Sequence, residues 1–296
     1  MPAPIVLFCF NRPDKVHQTV QSLLKNDLAD QSELIVFCDG PRHQKDKELV
    51  DEVLRLVEGI KGFKRVSIHA QKQNVGLANS IIGGLNTVFE NAEQAIVLED
   101  DILVSRDFLT FMNTALERYE NEGLIGSVSG YSFKLEECEE GDSYFLVKRA
   151  SSWGWGTWRN RWQSVDWQVS DFPDFIKNKP AQERFMFAGK DQLPMLVKQQ
   201  RGEIQSWAVR WTYHHFLKNQ FCLVPKYAKV RNIGTDGSGT NFTNSTEAYS
   251  TDLNEGLPPF PKEIKAKDSV QNFIKVRFAP SLLRKCINFF KYRIWY

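Results

Sequence analysis

The first hundred residues alternate short, almost wholly apolar runs with stretches of helical periodicity, and this alternation constrains the fold more than any other feature. The apolar runs are IVLFCF (5–10), ELIVFCDG (33–40), KRVSIHA (64–70) and QAIVLEDD (94–101). Between the first two, DKVHQTVQSLLK places Val16, Val20, Leu23 and Leu24 at helical spacing, with Asp14 as a candidate cap. DKELVDEVLRLVEG and GLANSIIGGLNTVFEN supply the next two helical stretches. A run without polar alternation is a strand covered on both faces. Strand, helix and strand in succession imply parallel pairing through right-handed crossovers. The fold class expected is α/β, a Rossmann-like, mostly parallel sheet flanked by helices.

After Tyr119 the alternation gives way to short strands, a tryptophan-rich stretch and two further helical segments, DQLPMLVKQQ and WAVRWTYHHFLKN. No internal repeat or low-complexity linker separates the parts. The division expected is a nucleotide-binding half over 1–122, an acceptor-side and lid region of the same catalytic domain over 123–268, and a basic aromatic tail over 269–296. The net charge of +2 gives no field to attract nucleic acid. The five cysteines, Cys9, Cys38, Cys138, Cys222 and Cys286, are odd in number and lack any Cys-x-x-Cys spacing. Free thiols in a reducing compartment fit that pattern better than a disulfide frame or a zinc site. The opening MPAPIVLFCF has neither a basic leader nor a cleavage site, so it reads as a first strand and a cytoplasmic location is expected. The sequons at Asn241 and Asn244 are then expected to stay unmodified.

Ligands of open parallel sheets bind beyond the carboxyl ends of the strands. Three polar signals fall there: Asn11-Arg12, Asp39-Gly40 and the trio Glu99-Asp100-Asp101. Three adjacent carboxylates have a plain reading, a solvated turn leading into the helix that starts near Arg106. Ser105 and Asp107 already offer caps for that helix, which makes the trio redundant there. A divalent cation is the simpler neutraliser, and oxygen-only ligands point to Mg2+ or Mn2+, completed by water and substrate phosphates.

With these segments in view, the chain resembles glycosyltransferases of the A fold over about Ile5 to Phe242. The likeness is to the group around N-acetylglucosaminyltransferase I, whose Asp-x-Asp equivalent is Glu-Asp-Asp. The resemblance implies a nucleotide-sugar donor, most simply UDP-linked, and a glycan or lipid-linked glycan acceptor. It implies nucleotide contacts from Phe8 and Arg12 in VLFCFNR, uracil reading by Asp39 in VFCDG, and a further nucleotide contact from Asn79 in GLANS. In the acidic trio it sets Asp100 against the ribose and Asp101 on the metal, with Glu99, Trp155 and Trp207 on the sugar side. Charge builds on the leaving diphosphate during such a transfer, and stabilising it is typically worth ~3 kcal/mol or more.

The box SSWGWGTWRNRW reads either as core packing or as a sugar platform, because flat aromatic faces stack on pyranose rings. The likeness to the family's Gly-Trp segment favours Trp155 for the platform. VRNIGTDGSGTNF reads either as a surface loop or as a phosphate lid. The lid reading uses Arg231, Gly234, Gly237 and Ser238, with Lys229 adding charge. An inverting transferase also needs a carboxylate base. Where the family has an aspartate directly after a tryptophan, this chain has Trp207-Ala208, leaving Glu203 and Asp191 as the candidates. His214-His215 reads as ordinary polar helix positions. From Ser269 the tail combines six Lys and Arg with seven aromatic residues and no acid. It is either a helix docked by its aromatics or a segment lying on the cytoplasmic face of an anionic membrane. The function expected is metal-dependent glycosyl transfer. A sugar-1-phosphate nucleotidyltransferase is disfavoured by the missing glycine loop after the first strand, and a non-catalytic carbohydrate binder would leave the acids without a purpose.

Overall fold

The computed structural model describes residues 1–137, 141–234 and 251–294. Cys138, Gly237, Ser238, Asn241, Asn244, Trp295 and Tyr296 lie outside the described residues. The first half runs β1 (Ile5–Cys9), α1 (Pro13–Leu24), β2 (Glu33–Cys38), α2 (Lys47–Glu58), β3 (Arg65–Ala70), α3 (Leu77–Val88), β4 (Gln94–Glu99), β5 (Ile102–Val104) and α4 (Phe108–Arg118). The second runs β6 (Ile125–Ser129), β7 (Tyr144–Val147), β8 (Trp155–Trp158), α5 (Arg159–Gln163), α6 (Phe172–Phe175), α7 (Lys179–Phe185), α8 (Gln192–Gln200), α9 (Trp207–Leu217), β9 (Phe221–Pro225) and β10 (Val230–Asn232). Helices α10 (Asp268–Arg277) and α11 (Leu282–Tyr292) follow.

Eight strands form one sheet in the order β3-β2-β1-β4-β8-β6-β9-β7. Four of the five strands of the first half, β3, β2, β1 and β4, are parallel neighbours, as the strand–helix alternation predicts, and β5 pairs apart with β10. β8 enters antiparallel between β4 and β6, so one sheet crosses from the first half into the second. Ile5, Leu7 and Cys9 of β1 face one layer with Val16, Val20 and Leu23 of α1. Val6 and Phe8 face the other, with Ile81 and Leu85 of α3 and Trp207 and Trp211 of α9. Helices on both faces account for the continuous apolar runs.

The helix starts differ from the sequence reading in one instructive way. Pro13 occupies the first turn of α1, where its missing N–H costs nothing, and Asp14 sits in that turn without capping it. Asp107 precedes α4 but makes no side-chain cap. Its carboxylate accepts instead from Lys229 Nζ (2.7 Å), Ser105 Oγ (2.7 Å) and the Gly256 amide (2.8 Å).

Candidate active site

Register brings the three polar signals to one edge of the sheet. Phe8 pairs with Glu99 across β1 and β4, and Cys9 pairs with Cys38 across β1 and β2, so Arg12, Asp39 and the acidic trio emerge side by side. They line a cleft of about 860 Å³. The acids occupy the corner between β4 and β5, where Thr19 Oγ1 of α1 donates to the Asp100 carbonyl at 2.8 Å. β10 pairs antiparallel with β5 and delivers Gly234 to the same corner. A Cβ on Gly234 would overlap Asp101 Oδ2, so only glycine permits this approach.

Charge in the corner is unbalanced. Arg12 Nη2 donates to Asp100 and lies 2.9 Å from Asp101 Oδ2. Against that single guanidinium stand the three carboxyl groups of Glu99, Asp100 and Asp101. Burial first, and then the charges of Asp101 and Asp100, push Glu99 up to about 8. Burial also raises Asp100 to about 6, although Arg12 opposes the rise. Asp101 Oδ1 is buried and has no hydrogen-bond partner among the described residues. An orphaned carboxylate oxygen in a crowded acidic corner fits a hard divalent cation, which brings the missing charge and takes oxygen donors. Among the described residues no three His, Cys, Asp or Glu side chains are grouped to hold a metal by themselves. A cation at Asp101 would therefore take its remaining donors from water or ligand.

Asp39 lines the cleft, but its carboxylate is fully engaged. Oδ1 accepts from the amides of Gly40 (2.9 Å) and Val75 (2.8 Å), and Oδ2 from the amide of Gly76 (2.9 Å) and from Asn74 Nδ2 (2.9 Å). Four donors fill the four acceptor positions of a carboxylate, leaving none for a base edge. Its side chain thus fixes the 74–76 loop, in which Gly76 takes φ +79° to start α3. Asn79 is exposed and donates to the Val75 carbonyl at 2.9 Å, outside the cleft, whereas Ser80 lines it.

The tryptophan box divides. Trp155, expected on the sugar side, has no exposed surface; it stacks on Trp207 at 5.0 Å and lies against Trp162 and Trp211. The tryptophans that line the cleft are Trp207 and Trp153, the latter edge-on to Tyr131 at 4.7 Å. Trp155 lies in β8 with its ring in the layer of α3 and α9, whereas Trp153 precedes the strand, on the far side of Gly154 at φ +53°.

Asp191, just before α8, lines the cleft with both oxygens held by Arg149 (2.8 and 3.0 Å). Arg149 also lies 3.9 Å over the ring of Phe278. Glu203 does not line the cleft: its Oε2 accepts from Lys291 Nζ (2.6 Å) and Tyr292 Oη (2.7 Å) of α11. Arg231 also stays outside the cleft. Lys229, 3% exposed, is tied to Asp107 and to the carbonyls of Asn254 and Gly256, so it offers no charge to a lid. His214 and His215 are buried away from the cleft, and burial lowers them to about 4 and about 3.

Sequence reasoning missed Arg149, Trp153, Asn74 and Arg42, which stands 4.8 Å over the ring of Phe10. Arg149 had a usable signal, because it follows the end of β7 by two residues and opens the run into the tryptophan box.

Residues 5–177, more than half of the chain, match the model of glycosyl transferase family 2. The chain belongs to that family. Its sheet is accordingly the Rossmann-like sheet of the glycosyltransferase A fold. Solved structures that it resembles include the mannosyltransferase PcManGT from Pyrobaculum calidifontis in complex with GDP-Man and Mn2+, at 16% identity over 54% of this chain and TM-score 0.38. Others are GalNAc-T7 with UDP, GalNAc and Mn2+ (12% identity, 78% of this chain, TM-score 0.45) and S. aureus TarS (10%, 80%, 0.43). This chain spans less than half the length of each, at 47%, 44% and 37%.

Proposed function

We propose that the cleft transfers a sugar from a UDP-linked donor to a hydroxyl of a glycan or lipid-linked glycan, with Mn2+ or Mg2+ bound at Asp101. The observation that carries this reading is the uncompensated acidic corner in a family 2 chain, with Asp101 Oδ1 lacking a partner among the described residues. The Glu-Asp-Asp sequence, which resembles that of the N-acetylglucosaminyltransferase I group, agrees with a UDP donor.

Asp101 holds the cation, which when bound offsets charge developing on the leaving diphosphate. Arg12 clasps Asp100 and Asp101 and keeps their orientation fixed. Asp39 sets the loop that walls the nucleotide side. Gly234 brings backbone to the corner. Trp207, backed by buried Trp155, and Trp153 offer aromatic faces to the sugar. Asp191 takes the proton of the acceptor hydroxyl, with Arg149 orienting it.

Calorimetric titration with UDP, with and without Mn2+, tests the reading. Wild type is expected to bind UDP in a Mn2+-dependent manner. Asp101→Asn should weaken that binding by roughly 100-fold or more without lowering thermal stability, because the substitution removes a repelling charge. Unchanged affinity in the variant would remove Asp101 from the site, and a wild type indifferent to UDP would remove the donor assignment.

A further inference from the structure

Helix α11 is seated on the protein the wrong way round for a surface helix. Surface helices turn their apolar stripe inward. In α11 the inward positions are Asn288 and Tyr292, one turn apart, which are buried against the α8 region. Tyr292 donates to Glu203 at 2.7 Å and lies beneath the Arg201 guanidinium at 4.9 Å, while Arg201 donates to the Lys291 carbonyl at 3.1 Å. The opposite side carries Leu283, Ile287 and Phe290 at i, i+4 and i+7, with Leu282 beside them. Their exposures are 73%, 41%, 75% and 76%. Such a cluster on one helix face marks a contact surface.

Charge selects the occupant. Arg284 and Lys291 line one flank of the apolar stripe and Lys285 the other, and residues 269–294 contain six Lys and Arg but no Asp or Glu. Long cationic side chains beside an apolar stripe reach up to phosphates while the stripe enters the acyl boundary. An 11-residue helix is about 16 Å long. One such face falls well short of the roughly 800 Å² per partner of a stable protein interface.

We propose that α11 lies on an anionic lipid bilayer, burying Leu282, Leu283, Ile287 and Phe290 and pairing Arg284 and Lys285 with lipid phosphates, while Lys291 stays with Glu203. No helix among the described residues is long and apolar enough to cross a membrane, so the contact is interfacial. Phe278, which lines the cleft, is followed within four residues by α11. Provided that the glycosyltransferase reading holds, this sets the acceptor side of the cleft beside the bilayer and makes a lipid-linked acceptor the substrate class.

The full chain should co-sediment with vesicles containing phosphatidylglycerol at low salt, should not do so with pure phosphatidylcholine, and should be released as salt rises. Leu283→Glu with Phe290→Glu should weaken vesicle binding at least tenfold, and Arg284→Gln with Lys285→Gln by roughly tenfold. Leu283, Arg284 and Phe290 are exposed and Lys285 is half-buried, and none lines the cleft, so the melting temperature and Mn2+-dependent UDP binding should stay unchanged. A wild type that ignores anionic vesicles, or variants that bind them undiminished, overturns the proposal. So does a wild type that elutes as a dimer which Leu283→Glu converts to monomer, since the face would then join two copies. A wild type that binds UDP but not anionic vesicles refutes the membrane contact alone; one that binds the vesicles but not UDP refutes the donor reading alone.

Discussion

Two ionic clusters lie within ten residues of each other, and they are built on opposite plans. Asp107 meets Lys229, Ser105 and the Gly256 amide, and Lys229 finds two further carbonyls, so each charge has its partners. Hydrogen bonds from Lys229 and Ser105 outweigh the burial that would raise Asp107, and its carboxyl stays below the usual range. The 99–101 corner sets three acids against one arginine and leaves an oxygen without a partner among the described residues. The first arrangement is complete within the chain and stabilises the fold. The second is not completed by the described residues, and on the proposed reading a bound cation completes it, which is how a binding site differs physically from a structural ion pair.

Removing one partner from each cluster should therefore have contrary effects on stability. Asp107→Asn leaves Lys229 buried without its counter-charge, and a broken buried pair costs about 3–5 kcal/mol. The lower end is expected here, because the carbonyls of Asn254 and Gly256 remain. The urea midpoint should fall with the slope unchanged. If Asp101→Asn falls as far, the two clusters do not differ in kind.

Next in size is the effect on turnover of Asp191→Asn. This change keeps shape and a hydrogen bond to Arg149 but cannot accept a proton. A positioned base contributes about 100-fold or more, so kcat should fall by that factor with donor affinity retained. Near-normal turnover would return Asp191 to the same class as Asp107, a carboxylate that only holds an arginine.

His215 probes the comparison from a third side, as a buried group whose two ring nitrogens lack partners among the described residues yet which does not face the cleft. Its ring lies edge-on to Trp211 at 4.5 Å, close to Gly126 and Gln220, and His214 is the titratable neighbour acting on it. Burial lowers it from 6.5 to about 3. The unfolded chain thus binds the extra proton between those values, and the contribution of His215 to stability is complete above about pH 6.5 and falls as the solution is acidified. The loss between pH 7 and 5 is about 2 kcal/mol. His215→Gln should flatten that limb in urea unfolding; an unaltered pH dependence would assign it to other groups.

The parallel half was legible because its signals are local. Apolar runs such as Ile5 to Phe10 need no knowledge of distant partners, and the strand-end rule then gathers Arg12, Asp39 and the acids. What was not legible depends on pairing across long stretches of chain. Which way Trp155 points follows from the register of β8, where it sits opposite Val97, and from the arrival of Trp207 behind it. The Asp39 motif was visible, but the donors that fill it come from Asn74, Val75 and Gly76, in a loop whose approach the sequence does not state. Lys229 read as free charge for a lid because its partner Asp107 lies 122 residues away.

Glu203 gives the smallest expected effect and the sharpest discrimination. Near in sequence to the family's base position, it is nonetheless a satisfied carboxylate: hydrogen bonds from Lys291 and Tyr292 lower its pKa, so it is ionised and committed to α11. Glu203→Gln removes the charge but can still accept from Tyr292 through its amide oxygen. With a water-soluble acceptor, turnover should stay within about twofold of wild type, the range of surface substitutions that touch no special feature. Against anionic vesicles the same variant should still bind, because the outward stripe of α11 and Arg284 and Lys285 are untouched. A fall of 100-fold or more with a soluble acceptor would mean that Glu203 leaves α11 and enters the cleft during turnover, and the division between completed and incomplete clusters would then describe only the resting state.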